Sequence, residues 1–456
     1  MKASKLLELS LYAAFLLGFT LTASHGLQAL QEPALRERVG DPPHILSLEF
    51  PNVIRPNGSP VQGKVAFFDA DRDAATLELD VVRAFDFSPV SFPIETKVQT
   101  PGETFFSLSS TLIQPVALEA TIVDAQGNRS DPVLFHFAAV TPEREVAPGV
   151  YFINAWGEQG RGAGQFNFEG PHGIRVGPDH NVYVVDQGNH RIQVFTPQGE
   201  YLTEWGRQGR SGQGRFNFPS DLIFAPNGDI YVSDSLNHRI QVFDSQLNYA
   251  LQWGGQGFGE GQFVSPRGLA LNSKQELFVV DEQNGRIQVF DLAGRFLRQW
   301  GRFGKDEGQF NVIVGIDVDS NDEVYVADGF NHRIQVFDSE GNFLRQWGQL
   351  GGAEDQFDDP VGVAVSPAGW VAITDTSPIR TVDSGVLHDR VQLWTTQGVF
   401  LRSWGVESDA PGTGFKLPLG ADADGLGMLY IGDHFNRRAQ AFYIAIDSQE
   451  IQGAGE

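Results

Sequence analysis

The sequence predicts an all-β chain in which a small sandwich precedes a closed array of six repeated units. Three observations carry that prediction. The 456 residues include 52 glycines, 35 phenylalanines and 8 tryptophans but only 2 methionines, a composition of tight turns between short aromatic-rich strands. The nine residues NHRIQVFDS stand at Asn237 to Ser245 and again at Asn331 to Ser339. Their first seven recur at Asn189 to Phe195, and looser copies begin at Asn284 and Asn436. Three markers keep one beat: an arginine at Arg191, Arg239, Arg286, Arg333, Arg390 and Arg438, a Trp-Gly pair at Trp156, Trp205, Trp253, Trp300, Trp347 and Trp404, and a phenylalanine at Phe166, Phe216, Phe263, Phe310, Phe357 and Phe415. The arginines step by 48, 47, 47, 57 and 48 on subtraction, and periods of about 40–50 residues holding several strands mark propeller blades.

The elements follow in order. Residues 1–26 read as an export signal, with Lys2 and Lys5 before an apolar run from Leu9 to Ala23 and then small residues. The mature protein is therefore expected to be extracytoplasmic, periplasmic or secreted. If the signal is not cleaved, it becomes a tether and the one expected contact with a membrane. The chain has no cysteine, which removes disulfides, thiolate catalysis and cysteine metal sites. After a spacer at 27–42, residues 43–141 alternate apolar and polar in KVAFF, TLELDVV and ALEATIVD, separated by turns such as PNGSP. That is the pattern of a β-sandwich, and VDAQGNRSDPVLFHF resembles the last hairpin of bacterial immunoglobulin-like domains. Asp69, Asp71 and Asp73 have a spacing that suits calcium, and it suits a solvated turn better.

Residues 151–445 hold the array and 446–456 a tail. One unit divides at its turns into strands from Gly173 to Val176, Asn181 to Asp186, Arg191 to Phe195 and Tyr201 to Trp205. The last unit lacks a fourth Trp-Gly strand, whereas residues 151–157, YFINAWG, stand alone before the first. The early strand is expected to complete the last blade and remove two exposed edges.

An Asp, a short gap, Asn-x-Arg and then IQVF make a pattern that resembles the NHL repeat, over residues 151–445. The resemblance implies a six-bladed β-propeller. It implies less about function, because NHL propellers include RNA- and protein-binding modules, receptor-kinase sensor domains and an amidating lyase.

Residues needed in every blade serve the blade. Asp186, Asp234, Asp281, Asp328, Asp375 and Asp433 are each expected to pair with the arginine of their own unit, Arg191, Arg239, Arg286, Arg333, Arg390 and Arg438. Function is expected where units differ, at the rim and the channel mouth. The position after the opening proline reads His172, Ser220, Arg267, Val361 and Leu419. In the amidating-lyase relatives, the resemblance implies histidines there on several blades, converging on zinc. Only His172 matches, so that site is not expected. Asp221 replaces a glycine of the sibling strands. The fifth unit carries an insert of about ten residues, with Arg380 and His388. Arg207 and Arg210 belong to a basic rim cluster with Arg161, Arg215, Arg302 and Lys305.

Two readings stand. The first is a non-enzymatic, exported scaffold for a protein, peptide or envelope polymer. The second is a metal-assisted hydrolase or lyase with one divalent cation, calcium or zinc, at the channel mouth, drawing on His172 and Asp221. A net charge of -24 repels phosphate backbones, so nucleic acid is not an expected partner.

Overall fold

The computed structural model describes residues 42–453 apart from 71, 85–89, 95–100, 378–388 and 447. The export segment and the insert's Arg380 and His388 lie outside the described residues. Near the N-terminus two sheets face each other. One holds His44–Glu49, Val61–Phe68 and Gly102–Leu108, and the other is ordered Val53–Ile54, Val133–Ala139, Gln114–Asp124, Ala74–Arg83, Val90–Pro93. Alternation drives this arrangement: every second residue of Gly102–Leu108 is buried. The inward set, with Val65, Phe67, Leu77, Phe106, Leu118 and Phe137, forms one core. In the acidic turn, Asp69 Oδ2 accepts the Ala74 N–H, and Asp71 lies outside the described residues.

Among the described residues, six antiparallel sheets of four or more strands follow. The first runs Pro171–Val176, Val182–Asp186, Arg191–Phe195, Tyr201–Trp205, its opening strand starting at the proline rather than at Gly173. The second to fifth repeat this order, and Val150–Trp156 pairs antiparallel with Arg438–Ile444 as the fourth strand of the sixth. The opening strands touch in a cycle, each neighbouring the next and the sixth neighbouring the first. Within each sheet the repeated Asp faces the repeated Arg in one register, from Asp186 opposite Arg191 to Asp433 opposite Arg438.

The three markers interlock, which explains why they recur together. The glycine after each tryptophan turns the chain out of the sheet with positive φ, +107° at Gly157, a conformation that costs glycine nothing. It also leaves room for the ring of the unit's opening phenylalanine, because a Cβ on Gly157 would meet Phe166 at 2.5 Å. The tryptophan packs forward onto the next sheet: Trp156, Trp253, Trp300 and Trp347 lie against the hairpin glycines Gly199, Gly294, Gly341 and Gly398. Neighbouring sheets are thus glued by one large ring each.

The sandwich is fixed to the sixth sheet. Arg83 pairs with Asp424 in the turn between that sheet's first two strands, both side chains under 10% exposed. His136 Nδ1 meets the Tyr443 hydroxyl at 2.9 Å, and Ala138 and Val140 join the core of Ile153, Tyr430 and Tyr443. These contacts lie on the side of the hairpin turns, and among the described residues the sandwich makes none at the opposite end of the sheets.

Candidate functional site

The repeated polar residues are consumed by the sheets. Asp186 Oδ2 accepts from Arg191 Nε at 2.7 Å, Asn189 Nδ2 at 2.9 Å and Gln193 Nε2 at 3.1 Å. The same arginine donates from Nη2 to the carbonyls of Gly162 and Gln165 in the incoming loop. Equivalent ion pairs hold Asp234–Arg239, Asp281–Arg286, Asp328–Arg333, Asp375–Arg390 and Asp433–Arg438 at 2.7–3.1 Å. The motif ties the incoming loop, whose regular structure is one two-residue parallel pair, Glu158–Gln159 with Gln165–Phe166, to a rigid ladder. The residue between Asn and Arg is left-handed (His190, φ 58°), and its imidazole Nδ1 accepts the Phe218 N–H of the next unit at 3.1 Å.

Along the axis, the opening strands of all six sheets line a cavity of about 30 Å³. That volume holds water and is far below the ~300 Å³ or more that encloses an organic ligand. Arg175 dominates it. Its Nη2 reaches Asp221 Oδ2 at 3.0 Å, its Nη1 reaches Asp422 Oδ1 at 3.2 Å, and Nε and Nη2 also bond the carbonyls of Leu222 and Leu269. Asp221 is fully engaged, with Oδ1 accepting the Leu222 N–H and Oδ2 also accepting the Leu269 N–H. Asp317 takes the N–H groups of Val318 and Val365. Burial raises the pKa of Asp221 and Asp317 and pushes Asp422 up to about 7, Arg175 opposing it. Burial works against the charge of Arg175 and the three carboxylates outweigh it. A guanidinium therefore stands where the hydrolase reading would put a cation. Among the described residues no three His, Asp or Glu side chains converge as metal ligands.

At the mouth, His172 Nδ1 lies 3.0 Å from the Ser220 carbonyl and His434 Nδ1 3.2 Å from that of Pro171. The two rings stand 6.4 Å apart, edge to face. Burial lowers both imidazoles, His434 to about 4, while Arg267 and His434 depress His172 further. Arg267 bonds Glu282 at 2.9 Å and Ser220 Oγ at 3.0 Å.

The rim at this end carries the other anomaly. Eight large apolar side chains are exposed on its loops: Phe168, Leu236, Phe258, Phe303, Phe330, Leu350, Val406 and Phe435, with Phe258 at 80% and Leu350 at 63%. Four more, Tyr201, Leu202, Leu297 and Leu344, lie on outer strands. The hairpin turns at the other end contribute none among the described residues. Arg161, Arg207, Arg210, Arg302 and Lys305 share the apolar rim, and no ion pair engages them among the described residues.

The structure thus brings His172 and Arg267 to the mouth, Asp221 into the channel, and Arg207 and Arg210 onto the rim. Sequence reasoning passed over Arg175, Asp317 and Asp422, which occupy one column, four residues beyond Pro171, Ile313 and Pro418. Ile223, Ala270 and Ala364 fill that column elsewhere, so aligning the units on the opening residue would have exposed it. It also passed over His434, Phe435 and Arg437, hidden inside a degenerate copy of the motif.

Comparison with known proteins places four NHL repeats at residues 168–195, 216–243, 263–290 and 310–337. No curated protein matches by sequence. Among solved structures, a structural genomics protein of unknown function from Bacteroides thetaiotaomicron VPI-5482 is similar over 89% of this chain and 98% of its own, at 14% identity and TM-score 0.56. Virginiamycin B lyase from Staphylococcus aureus aligns over 84% of this chain and 99% of its own, at 11% identity and TM-score 0.43. Aldose sugar dehydrogenase from Streptomyces coelicolor aligns over 64% and 97%, at 13% and 0.44. At these identities the likeness concerns the fold alone, an all-β propeller bearing NHL repeats.

Proposed function

We propose that this chain is an exported, non-enzymatic binding scaffold: a six-bladed NHL propeller, closed by residues 151–157, that presents one face to a protein or peptide partner and holds an immunoglobulin-like sandwich at the other. One observation carries the reading: within the array of repeated sheets, the loop-borne exposed apolar side chains among the described residues all lie on one face. Exposed apolar surface rimmed by polar residues marks a contact site, and aromatic residues with arginine are the composition of binding hot spots. The channel supports it from the other side. Its carboxylates are engaged by Arg175 and by backbone N–H groups, and its cavity is too small for a substrate. The basic hydrophilic start and apolar run of residues 1–26 support export.

The test is partner capture from the native extracytoplasmic fraction, comparing Phe258→Asp with Leu350→Asp on the apolar face against Gln246→Asp with Asn321→Asp on the hairpin face. The first pair is expected to abolish capture of a species that the second pair retains, with thermal midpoints unchanged. Equal capture by both sets overturns the reading.

A further inference from the structure

We propose that the seam between the sixth and first sheets docks an acidic segment of a partner protein that carries an apolar side chain beside a carboxylate. The inference rests on the binding-face reading and locates its centre. Departures from the repeat converge here. From opening phenylalanine to arginine the spacing is 23 residues in the second, third, fourth and sixth units and 25 in the first, by subtraction, and the two extra residues fall in the stretch that bears Phe168 and Glu169. Across the seam, Arg437 replaces the histidine found at 190, 238 and 332. Those histidines close their seams on the next unit: the imidazoles of His190 and His238 accept the N–H groups of Phe218 and Ser265, and His332 contacts the Asp358 carbonyl.

Arg437 makes no such closure. Its guanidinium lies 5.5 Å over the ring of Phe168, its Nε is buried without a hydrogen-bond partner, and no carboxylate among the described residues forms an ion pair with it. Phe168 packs against Phe435 with tilted rings and centroids 5.8 Å apart, and the two residues remain 59% and 40% exposed. A guanidinium laid on an aromatic face keeps its in-plane donors for a planar acceptor, and a carboxylate fits that fork. The neighbouring imidazoles of His172 and His434 are neutral at physiological pH, so Arg437 supplies the seam's positive charge. Glu169, 3.9 Å from His434 Nε2, offers an acceptor for a partner N–H.

The platform is open and not a pocket, which selects a macromolecular segment over a small molecule. Arg161 lies in the same loop as Phe168, and Arg207 and Arg210 lie in the corresponding loop one unit on; on a chain of net charge -24 these cations make this rim the part of the surface that attracts an acidic partner.

The probe is a phage-displayed library of short random peptides selected on the full chain. Selected peptides are expected to carry Asp or Glu beside Phe, Leu or Trp. Their affinity is expected to fall at least about tenfold on Phe168→Ala and on Arg437→His. The latter restores the residue that three sibling units accommodate in the same left-handed conformation, so the fold persists, as the thermal midpoint will show. Enrichment of basic peptides, no enrichment, or affinity indifferent to Arg437→His overturns the seam proposal. If the selected peptides instead depend on Phe258 and Leu350, the binding face stands and only the seam falls. Arg437-dependent binding to phosphatidylglycerol vesicles, with no peptide selected, would replace the protein segment by a lipid surface.

Discussion

At the residue scale, the fate of each charge follows from its partners. Asp281 collects Arg286 Nε at 2.8 Å, Asn284 at 2.8 Å and Gln288 at 3.1 Å with no exposure of its own. Asp281→Ala leaves the guanidinium buried and uncompensated, and urea unfolding is expected to register a loss of about 3–5 kcal/mol. Arg295, whose side chain is 83% exposed in its pair with Asp291, is the contrast. Arg295→Ala is expected to cost under about 1 kcal/mol in the same assay. Asp359 is the opposite case: it is 6% exposed, its Oδ1 has no partner, and burial with Asp375 and Asp358 pushes its carboxyl up to about 7. Asp375 is also raised to about 7 by burial, yet it holds Arg390 and two backbone N–H groups, so the proton settles on Asp359. An acid whose pKa rises on folding binds a proton that the unfolded chain has released, so stability falls as pH rises from about 4 to about 7. Asp359→Asn removes that slope. Its thermal midpoint is expected to exceed the parent's by a margin that grows across this window and then levels off; a pH-independent difference contradicts the assignment. The pairing Asp and Arg were legible because a sixfold column is conspicuous. Asp359 and Arg437 were not, because each is a single departure whose meaning depends on what the neighbouring unit places against it.

At the element scale, the period and the divisions of each unit were readable from turn residues and the Trp-Gly marker. The register was readable less directly, since Asp opposite Arg follows only once the short loop between them is counted. What the sequence could not show is the interlock. The tryptophan's contact lies in the next unit's hairpin, more than forty residues on for Trp156 and Gly199, and local patterning carries no signal over such a gap. Strand Val150–Trp156 is held by a ladder from Val150 opposite Ile444 to Trp156 opposite Ala439, with one register shift between Phe152 and Asn154. Its removal bares an edge on the sixth sheet and strips Trp156 from the first. Deleting residues 151–157 is therefore expected to lower the melting temperature of the whole array in one transition. A variant that loses only the sixth sheet's signal, or that melts with the parent, contradicts closure.

At the scale of the whole molecule, polarity is the organising fact. One end of the sheets carries the hairpin turns and the sandwich, joined through Arg83, Asp424, His136 and Tyr443. The other carries the loops bearing Phe258, Phe303, Leu350 and Phe435. Composition foretold an all-β chain, and the repeats foretold where variation would gather. The apolar face escaped notice because its two partial columns are interrupted: Leu236, Phe330 and Phe435 precede the motif asparagine where siblings hold Gly188 and Gln283, and Phe303 and Leu350 stand three residues after the tryptophan where siblings hold Gln159, Gln208 and Gln256, so only the folded arrangement collects them on one end. In the channel the charged column was open to alignment, but its pairing was not, because Arg175 meets Asp221 and Asp422 across 46 and 247 residues of chain.

The strand that completes the sixth sheet also imposes a timetable on synthesis. Val150 pairs with Ile444, so 294 residues must be added, by subtraction, before the two can meet. At about 5–20 residues per second that takes about 15–60 s. Through that interval an aromatic, β-branched segment has to wait without its partner, the kind of segment that associates with other chains. Glu145–Ala147 already pairs along its other edge, Val150 opposite Ala147, and the preceding sandwich can form first and crowd the approach. A strand already paired on one side by residues made just before it exposes one edge through that interval rather than two.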